Sequence, residues 1–309
     1  MNLKSSNQNS LYEHKNLFNE LINLNLQNKL PNKILLSGEK GIGKCTFAYH
    51  FINYILSKNE TNSYNVMNLE INVENKNFLL IQNKSNPNFE LINLEDDKKN
   101  IDINQVRNLI IKLNKSSFNN KPRFVLIDNI ELLNVNSINA LLKILEEPND
   151  NIFFLLINNN KKVLPTLKSR CLNYKFSLSF DHSIMIVNKI INDEIQSFIN
   201  RDLMCNYSTP GKLLRLYSFG NEFKIDLKNI SLKDLISSII EKKYFKKNNS
   251  IKELTYYLIE LYFRNIISVK NIQLFNLYNH FVKKIDKTRK FNLDDEVIFM
   301  EFNESILNG

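Results

Sequence analysis

Continuous apolar runs alternate with amphipathic stretches along the first 160 residues. The runs resemble strands buried on both faces of a parallel sheet; they lie at residues 33–37, 123–128 and 152–157. The stretches between and before them repeat their apolar positions at helical spacing. They predict helices at residues 11–29, 46–56, 102–113 and 137–147. Strands that alternate with helices are typical of an α/β core, a parallel sheet with flanking helices on both faces.

Three details of this core are predicted from shorter signals. Asp102 is placed to cap the helix that follows it, and the helix at 137–147 is expected to end at Pro148. The polar, Asn-rich stretch 57–77 predicts a loop. Short apolar segments at 78–81 and 89–94, separated by an Asn-Pro-Asn turn, predict two further strands.

Beyond about Tyr174 the pattern predicts helices only. Apolar positions at helical spacing mark helices near residues 235–240, 254–266 and 272–285. Ser208-Thr-Pro-Gly211 interrupts this half of the chain. We therefore expect a core at 1–175 followed by two helical parts, a small one at 176–217 and a C-terminal domain at 218–309.

Composition narrows the class of protein without naming a function. Of 309 residues, 43% are hydrophobic and 24% are charged, which excludes collagen-like, disulfide-scaffold and wholly disordered chains. The net charge of +9 is compatible with a polyanionic partner but does not require one. Three cysteines without a Cys-x-x-Cys pair, no signal-peptide pattern and no long apolar stretch lead us to expect a soluble cytoplasmic protein without membrane contact.

A glycine-rich loop follows the first predicted strand and precedes a helix. It reads Gly38-Glu-Lys-Gly41-Ile-Gly43-Lys44-Cys45-Thr46 and matches seven of the eight positions of a phosphate-binding loop. Glycines let backbone N–H groups surround phosphates, the helix N-terminus adds its dipole, and the lysine supplies a charge. The loop predicts binding of ATP or ADP rather than a plain turn.

The eighth position departs from that pattern. A Ser or Thr hydroxyl there ligates Mg²⁺, but the residue is Cys45, whose sulfur suits a hard cation poorly. Thr46 comes one residue too late, and Cys45 is interpreted as a small packed residue. The substitution argues against Mg²⁺ binding, and we assign no metal site.

The strand at 123–128 is the second half of a P-loop nucleotide site. It ends in Asp128, whose carboxylate is placed to reach the metal shell. A glutamate usually follows it in ATP-hydrolysing proteins, but here the residue is Asn129, whose amide cannot act as a base. Glu131 lies two residues further on, and we expect it to face a different direction. The groups for binding are partly retained, whereas those for hydrolysis are incomplete.

Three later segments carry a specific resemblance to a known protein family. Asn136-Ser-Ile-Asn-Ala-Leu-Leu-Lys143-Ile-Leu-Glu146-Glu147-Pro148, then Phe154-Leu-Leu-Ile-Asn158, then Leu164-Pro-Thr-Leu-Lys-Ser169-Arg170-Cys171 occur in this order after the two nucleotide motifs. Together they closely resemble the AAA+ clamp-loader family of bacterial DNA polymerase III, over about residues 30–175. The resemblance implies an AAA+ core, a helical lid and a C-terminal collar domain that joins clamp-loader subunits in a ring.

The resemblance also implies roles for single residues. Arg170 would be an arginine finger donated in trans to ATP on a neighbouring subunit; the alternative is an arginine that pairs with an acid of its own domain. Asn158 occupies the sensor-1 position, although chance occupancy competes in so Asn-rich a chain. Gly211, with Lys212 adjacent, stands where active members carry the sensor-2 arginine. Residues 57–122 contain no cysteine, so we expect no zinc module of the kind some relatives carry there.

The resemblance implies a largely non-hydrolysing subunit that helps load the sliding clamp onto primed DNA during replication. Its partners would be clamp-loader subunits of the gamma/tau and delta types, with the clamp and primer-template DNA contacted through the complex. Two alternatives stay open: an ATP-hydrolysing gamma/tau-like motor subunit, and a free-standing nucleic-acid-binding protein that uses the +9 charge.

Overall fold

The chain folds into two compact units, Met1–Ser177 and Leu178–Gly309, in a computed structural model. The structure describes residues 4–95, 98, 100–115, 119–146, 151–266, 272–291 and 293–307. The boundary between the units falls within two residues of the predicted end of the core. The predicted division of the second unit at residue 217 stays a prediction.

The first unit is built on a five-stranded sheet in which every neighbouring pair of strands is parallel. The spatial order is β2-β3-β4-β1-β5. The strands are β1 (Lys33–Ser37), β2 (Phe89–Ile92), β3 (Arg123–Ile127), β4 (Ile152–Asn158) and β5 (Leu172–Lys175). The predicted parallel α/β core is confirmed.

Helices cover both faces of this sheet, as the continuous apolar runs predicted. They are α1 (Lys15–Leu26), α2 (Lys44–Leu56), α3 (Lys76–Gln82), α4 (Ile103–Leu113), α5 (Val135–Glu146) and the single turn α6 (Pro165–Lys168). On one face, buried side chains of α4 and α5 pack against alternate residues of β1, β3 and β4. On the other side of the core, Phe18 of α1 packs edge-on against Phe47 and Phe51 of α2. The central strands are therefore fully buried.

Local signals set the ends of several elements. Asp102 caps α4, and its carboxylate accepts a hydrogen bond of 2.9 Å from the backbone N–H of Asn104, as predicted. α5 is described as far as Glu146, and the expected stop at Pro148 lies outside the described residues. The stretch predicted as a loop, 57–77, is a loop as far as residue 75, and Lys76 begins α3; several of its side chains are buried, including Tyr64, Leu69 and Ile71.

One predicted strand was wrong, and one strand of the sheet was not predicted. Residues 78–81 belong to helix α3 and not to a strand, because Asn75 caps a helix there by accepting a hydrogen bond of 2.9 Å from the Phe78 N–H. The sheet instead gains β5, which was not predicted. β5 lies at the sheet edge and its residues are exposed or half-buried, so it lacks an apolar run.

The described part of the second unit contains helices and no strands, in agreement with the prediction. These helices are α7 (Phe180–Ile191), α8 (Ile195–Phe198), α9 (Pro210–Phe223), α10 (Leu232–Glu241), α11 (Asn249–Ile266), α12 (Ile272–Phe291) and α13 (Asp295–Phe302). The predicted break at 208–211 is the start of α9, with Pro210 in its first turn. Within the described ranges, no helix is long and apolar enough to cross a membrane.

Candidate nucleotide site and arginine pair

The glycine-rich loop connects β1 to α2 at the carboxyl edge of the sheet. Gly41 and Gly43 have φ angles of 91° and 92°, a left-handed conformation that favours glycine. A Cβ atom at Gly38 would lie 2.5 Å from the carbonyl oxygen of Phe176, so only glycine fits there. Space is open at Gly43, where an added Cβ would meet nothing within 4 Å. The loop therefore has the backbone shape and the room that a phosphate group requires.

Lys44 begins α2 and turns back over the loop. Its Nζ donates hydrogen bonds to the carbonyl oxygens of Gly38 at 2.7 Å and Glu39 at 2.6 Å. The side chain is 3% exposed, and burial lowers its pKa to about 8, against the opposing effect of the Asp128, Glu131 and Glu39 carboxylates. This ammonium is the charge that would face a bound phosphate.

Cys45 and Asp128 face each other behind the loop. The Cys45 thiol lies at hydrogen-bonding distance from Asp128 and Ser5, and burial together with the Asp128 carboxylate raises its pKa well above the ordinary value. The pKa of Asp128 is also raised, first by burial and then by the Glu131 carboxylate. A neutral thiol at the position of a hydroxyl is a poor ligand for an oxygen-seeking Mg²⁺ ion. Thr46 lies in the first turn of α2.

Glu131 corrects an expectation drawn from the sequence. It was expected to face away from the site, yet its carboxylate influences both Lys44 and Asp128. Asn129 has a φ of 61°, so the chain turns sharply after β3 and carries Glu131 back toward the loop. The Asn159 side-chain amide donates to Asn129 Oδ1 at 2.7 Å and to Glu131 Oε1 at 2.9 Å, which holds both groups in place.

Asn158, the predicted sensor residue, ends β4 beside the loop. It is the register partner of Ser37, and its carbonyl oxygen accepts a hydrogen bond of 3.2 Å from the Gly38 N–H. Its side chain is bonded to the backbone of Lys161, as donor to the carbonyl and as acceptor from the N–H, both at 3.1 Å. The structure thus brings the predicted residues Gly38, Gly41, Gly43, Lys44, Cys45, Thr46, Asp128 and Asn158 to one edge of the sheet.

Sequence reasoning missed three residues that the structure adds to this edge. The only sequence signal for Glu131 is the asparagine directly after β3, because asparagine tolerates the left-handed conformation of that turn. Asn159 carries no signal in so Asn-rich a chain. His14 precedes α1, packs against Phe176 with ring centroids 4.4 Å apart and the rings tilted by 58°, and bonds to the backbone of Ile42 in the loop.

Arg170 lies at the opposite edge of the sheet, in the turn between α6 and β5. Its Nη2 donates to Glu146 Oε1 at 2.7 Å, and its Nη1 donates to the Thr166 carbonyl oxygen at 2.8 Å. Parallel strands place their amino ends at one edge and their carboxyl ends at the other. The loop that follows β1 and the arginine that precedes β5 are therefore separated by the length of a strand, about 16 Å for five residues.

Comparison with known proteins places the chain in a family. The sequence profile described as "DNA polymerase III, delta subunit" matches residues 13–179, more than half of the chain. The chain belongs to this family. Its sheet is parallel and carries the glycine-rich loop directly after β1, while the AAA+ assignment stays a prediction from the sequence.

Named relatives agree with this family. The DNA polymerase III subunit delta' of Buchnera aphidicola subsp. Baizongia pistaciae is 32% identical over 152 residues, 47% of this chain and 44% of the relative. The subunit delta' of Buchnera aphidicola subsp. Schizaphis graminum is 26% identical over 287 residues, 86% of this chain and 82% of the relative. The chain thus spans less than half of the first relative's length. The DNA polymerase III subunit gamma/tau of Mycoplasma genitalium is also similar, 30% identical over 158 residues, 50% of this chain and 25% of the relative.

A similar solved structure is a DNA polymerase III gamma subunit-related protein from Thermotoga maritima. It is 17% identical, with a TM-score of 0.49, and the match covers 92% of this chain and 97% of that one.

Among the described residues, no three His, Cys, Asp or Glu side chains come together where they could hold a metal ion.

Proposed function

We propose that this chain is a delta-prime-type subunit of a bacterial clamp loader, which helps place the sliding clamp on primed DNA. Membership of the DNA polymerase III delta subunit family supports this assignment. The proposed partners are gamma/tau-type and delta-type subunits in the cytoplasm, with the clamp and primer-template DNA met through the complex. The predicted lid at 176–217 and collar at 218–309 would serve that assembly.

In this proposal the chain's own P-loop binds ATP or ADP weakly and hydrolyses little of it. The loop N–H groups and Lys44 would hold the phosphates, while Asn158 and Asp128 line the same edge. Position 45 lacks a hydroxyl for Mg²⁺, and Asn129 lacks a base for the attacking water. Both losses reduce hydrolysis more than binding.

The observation that carries the proposal is the position of Arg170. An arginine at the amino edge of the sheet cannot reach the γ-phosphate of a nucleotide in its own loop at the carboxyl edge. Any nucleotide that this guanidinium stabilises would therefore have to lie on another molecule, where its planar charge would face the γ-phosphate oxygens during transfer. That is the role of an arginine finger in trans.

The first test is steady-state ATP hydrolysis by the purified chain, beside its Lys44→Ala variant. We expect background turnover from both, because the two hydrolytic groups are missing. Glu131 stands near Lys44 and is the residue through which an independent motor would act, so Glu131→Gln is measured in parallel. Turnover that Lys44→Ala and Glu131→Gln both abolish would establish the motor-subunit alternative instead.

A further inference from the structure

The guanidinium of Arg170 is held on two sides by its own domain. Glu146 Oε1 accepts from Nη2 at 2.7 Å, and the Thr166 carbonyl oxygen accepts from Nη1 at 2.8 Å. The Arg170 side chain nevertheless stays 34% exposed. Two of the five guanidinium N–H groups make these bonds, and the remaining N–H groups can still face a ligand.

The anchor of this pair is fixed to the sheet. Glu146 is the last described residue of α5, and the preceding residue, Leu145, is fully buried. Lys33, at the start of β1, donates from Nζ to the Leu145 carbonyl oxygen at 2.8 Å. A carboxylate in the last turn of a helix faces the negative end of the helix dipole, so its position is unfavourable unless a cation stands beside it. Arg170 is that cation.

We propose that Glu146 is the positioning residue for Arg170, and that the pair presents the guanidinium to the neighbouring subunit's nucleotide in one orientation. This inference rests on the proposed function. Arginine has a long flexible stem, and anchoring one side of its fork removes most of the rotamers that would point the charge elsewhere. Glu146 itself touches no substrate. The pairing of Arg170 with an acid of its own domain is then part of the finger and not an alternative to it.

The test measures ATP turnover by the assembled complex, with motor subunits, clamp and primed DNA, for five variants of this chain. They are Glu146→Gln, Glu146→Asp, Arg170→Ala, the double variant of Glu146→Gln with Arg170→Ala, and Glu90→Gln as the matched control. Glu90 pairs with Lys112 at 2.9 Å on the surface of the same unit, and it plays no part in the proposal. We expect Glu146→Gln to lower kcat about tenfold with little change in KM for ATP, because it misplaces a charge used in the transition state.

The double variant separates positioning from structure. Because Glu146 acts through Arg170, the double variant should turn over ATP at the rate of Arg170→Ala alone, and Glu90→Gln should match the unmodified chain. Glu146→Asp should recover part of the lost rate, since it restores the charge at a shorter reach. If Arg170→Ala lowers turnover but Glu146→Gln does not, or if Glu146→Gln lowers it further in the double variant, the positioning role is overturned. If Arg170→Ala leaves turnover unchanged, the proposed function fails first.

Discussion

At the scale of single residues, Lys44 shows which part of a nucleotide site is present in the glycine-rich loop. Lys44 is buried and bonded to the carbonyl oxygens of Gly38 and Glu39. Three carboxylates near it favour its charged form, but burial outweighs them and lowers its pKa to about 8. The loop thus holds a cation that could face a phosphate group. Cys45 lacks the hydroxyl, and Asn129 lacks the carboxylate, that hydrolysis would use.

The low pKa of Lys44 makes the stability of the fold depend on pH. The unfolded lysine has a pKa of about 10.4, so between pH 8 and 10.4 the unfolded state binds more protons and the free energy of unfolding rises with pH. Relative to Lys44→Gln, the unmodified chain should gain up to about 3 kcal/mol over this range. Urea unfolding at a series of pH values measures the difference.

Lys58→Gln is the control for that series, because Lys58 is exposed and lies outside the glycine-rich loop. Its difference from the unmodified chain should stay flat across the range. A flat difference for Lys44→Gln as well would mean that the ammonium is not buried in solution, and the loop geometry would be wrong.

At the scale of elements, hydrogen bonds between asparagines connect the loop between α2 and α3 to the core. Asn75 is fully buried; it caps α3 and accepts a hydrogen bond of 2.9 Å from the Asn53 side-chain amide. Its own amide donates to the Asn62 carbonyl oxygen at 2.7 Å. Asn77 continues the network by donating to the Leu56 carbonyl oxygen at 3.1 Å. These bonds hold a loop that has no strand or long helix of its own.

Asn75→Ala should therefore destabilise the protein strongly. It removes a helix cap and leaves the Asn53 amide without its partner in a buried site, which together cost about 3 kcal/mol. Asn72→Ala is the matched control, because Asn72 lies exposed three residues earlier and makes one local bond to the Glu74 N–H. Its cost should stay below about 1 kcal/mol by thermal or urea unfolding. Equal losses from both variants would contradict a stabilising network.

The same elements show what the sequence could predict and what it could not. Strands β1, β3 and β4 were predicted because burial on both faces leaves an unbroken apolar run, as in Phe124 to Ile127. The helix α3 was mistaken for a strand because its four apolar residues fit either period, and the deciding signal was the cap at Asn75. Glu131 reaches the site through one left-handed residue, Asn129, and that turn cannot be read from apolar spacing.

At the scale of the whole molecule, the first unit keeps two separate chemistries at opposite edges of one sheet. The glycine-rich loop stands where β1 ends, and Arg170 stands before β5 begins. β1 and β5 are neighbours in the sheet, so the separation between the loop and Arg170 follows from strand length and not from flexible loops. The proposed place between two other subunits would need this arrangement, with a nucleotide loop on one side and a guanidinium on the other.

The most direct test of this account is ATP turnover by the complete clamp loader assembled with Arg170→Ala or with Lys44→Ala in this chain alone. Arg170→Ala should lower DNA-stimulated turnover by roughly 10³-fold at the neighbouring site, because that site loses its finger. Lys44→Ala should leave turnover nearly unchanged, because this chain's own loop contributes little hydrolysis. The opposite pattern, with Lys44→Ala inactive and Arg170→Ala normal, would contradict the account and identify the chain as a motor.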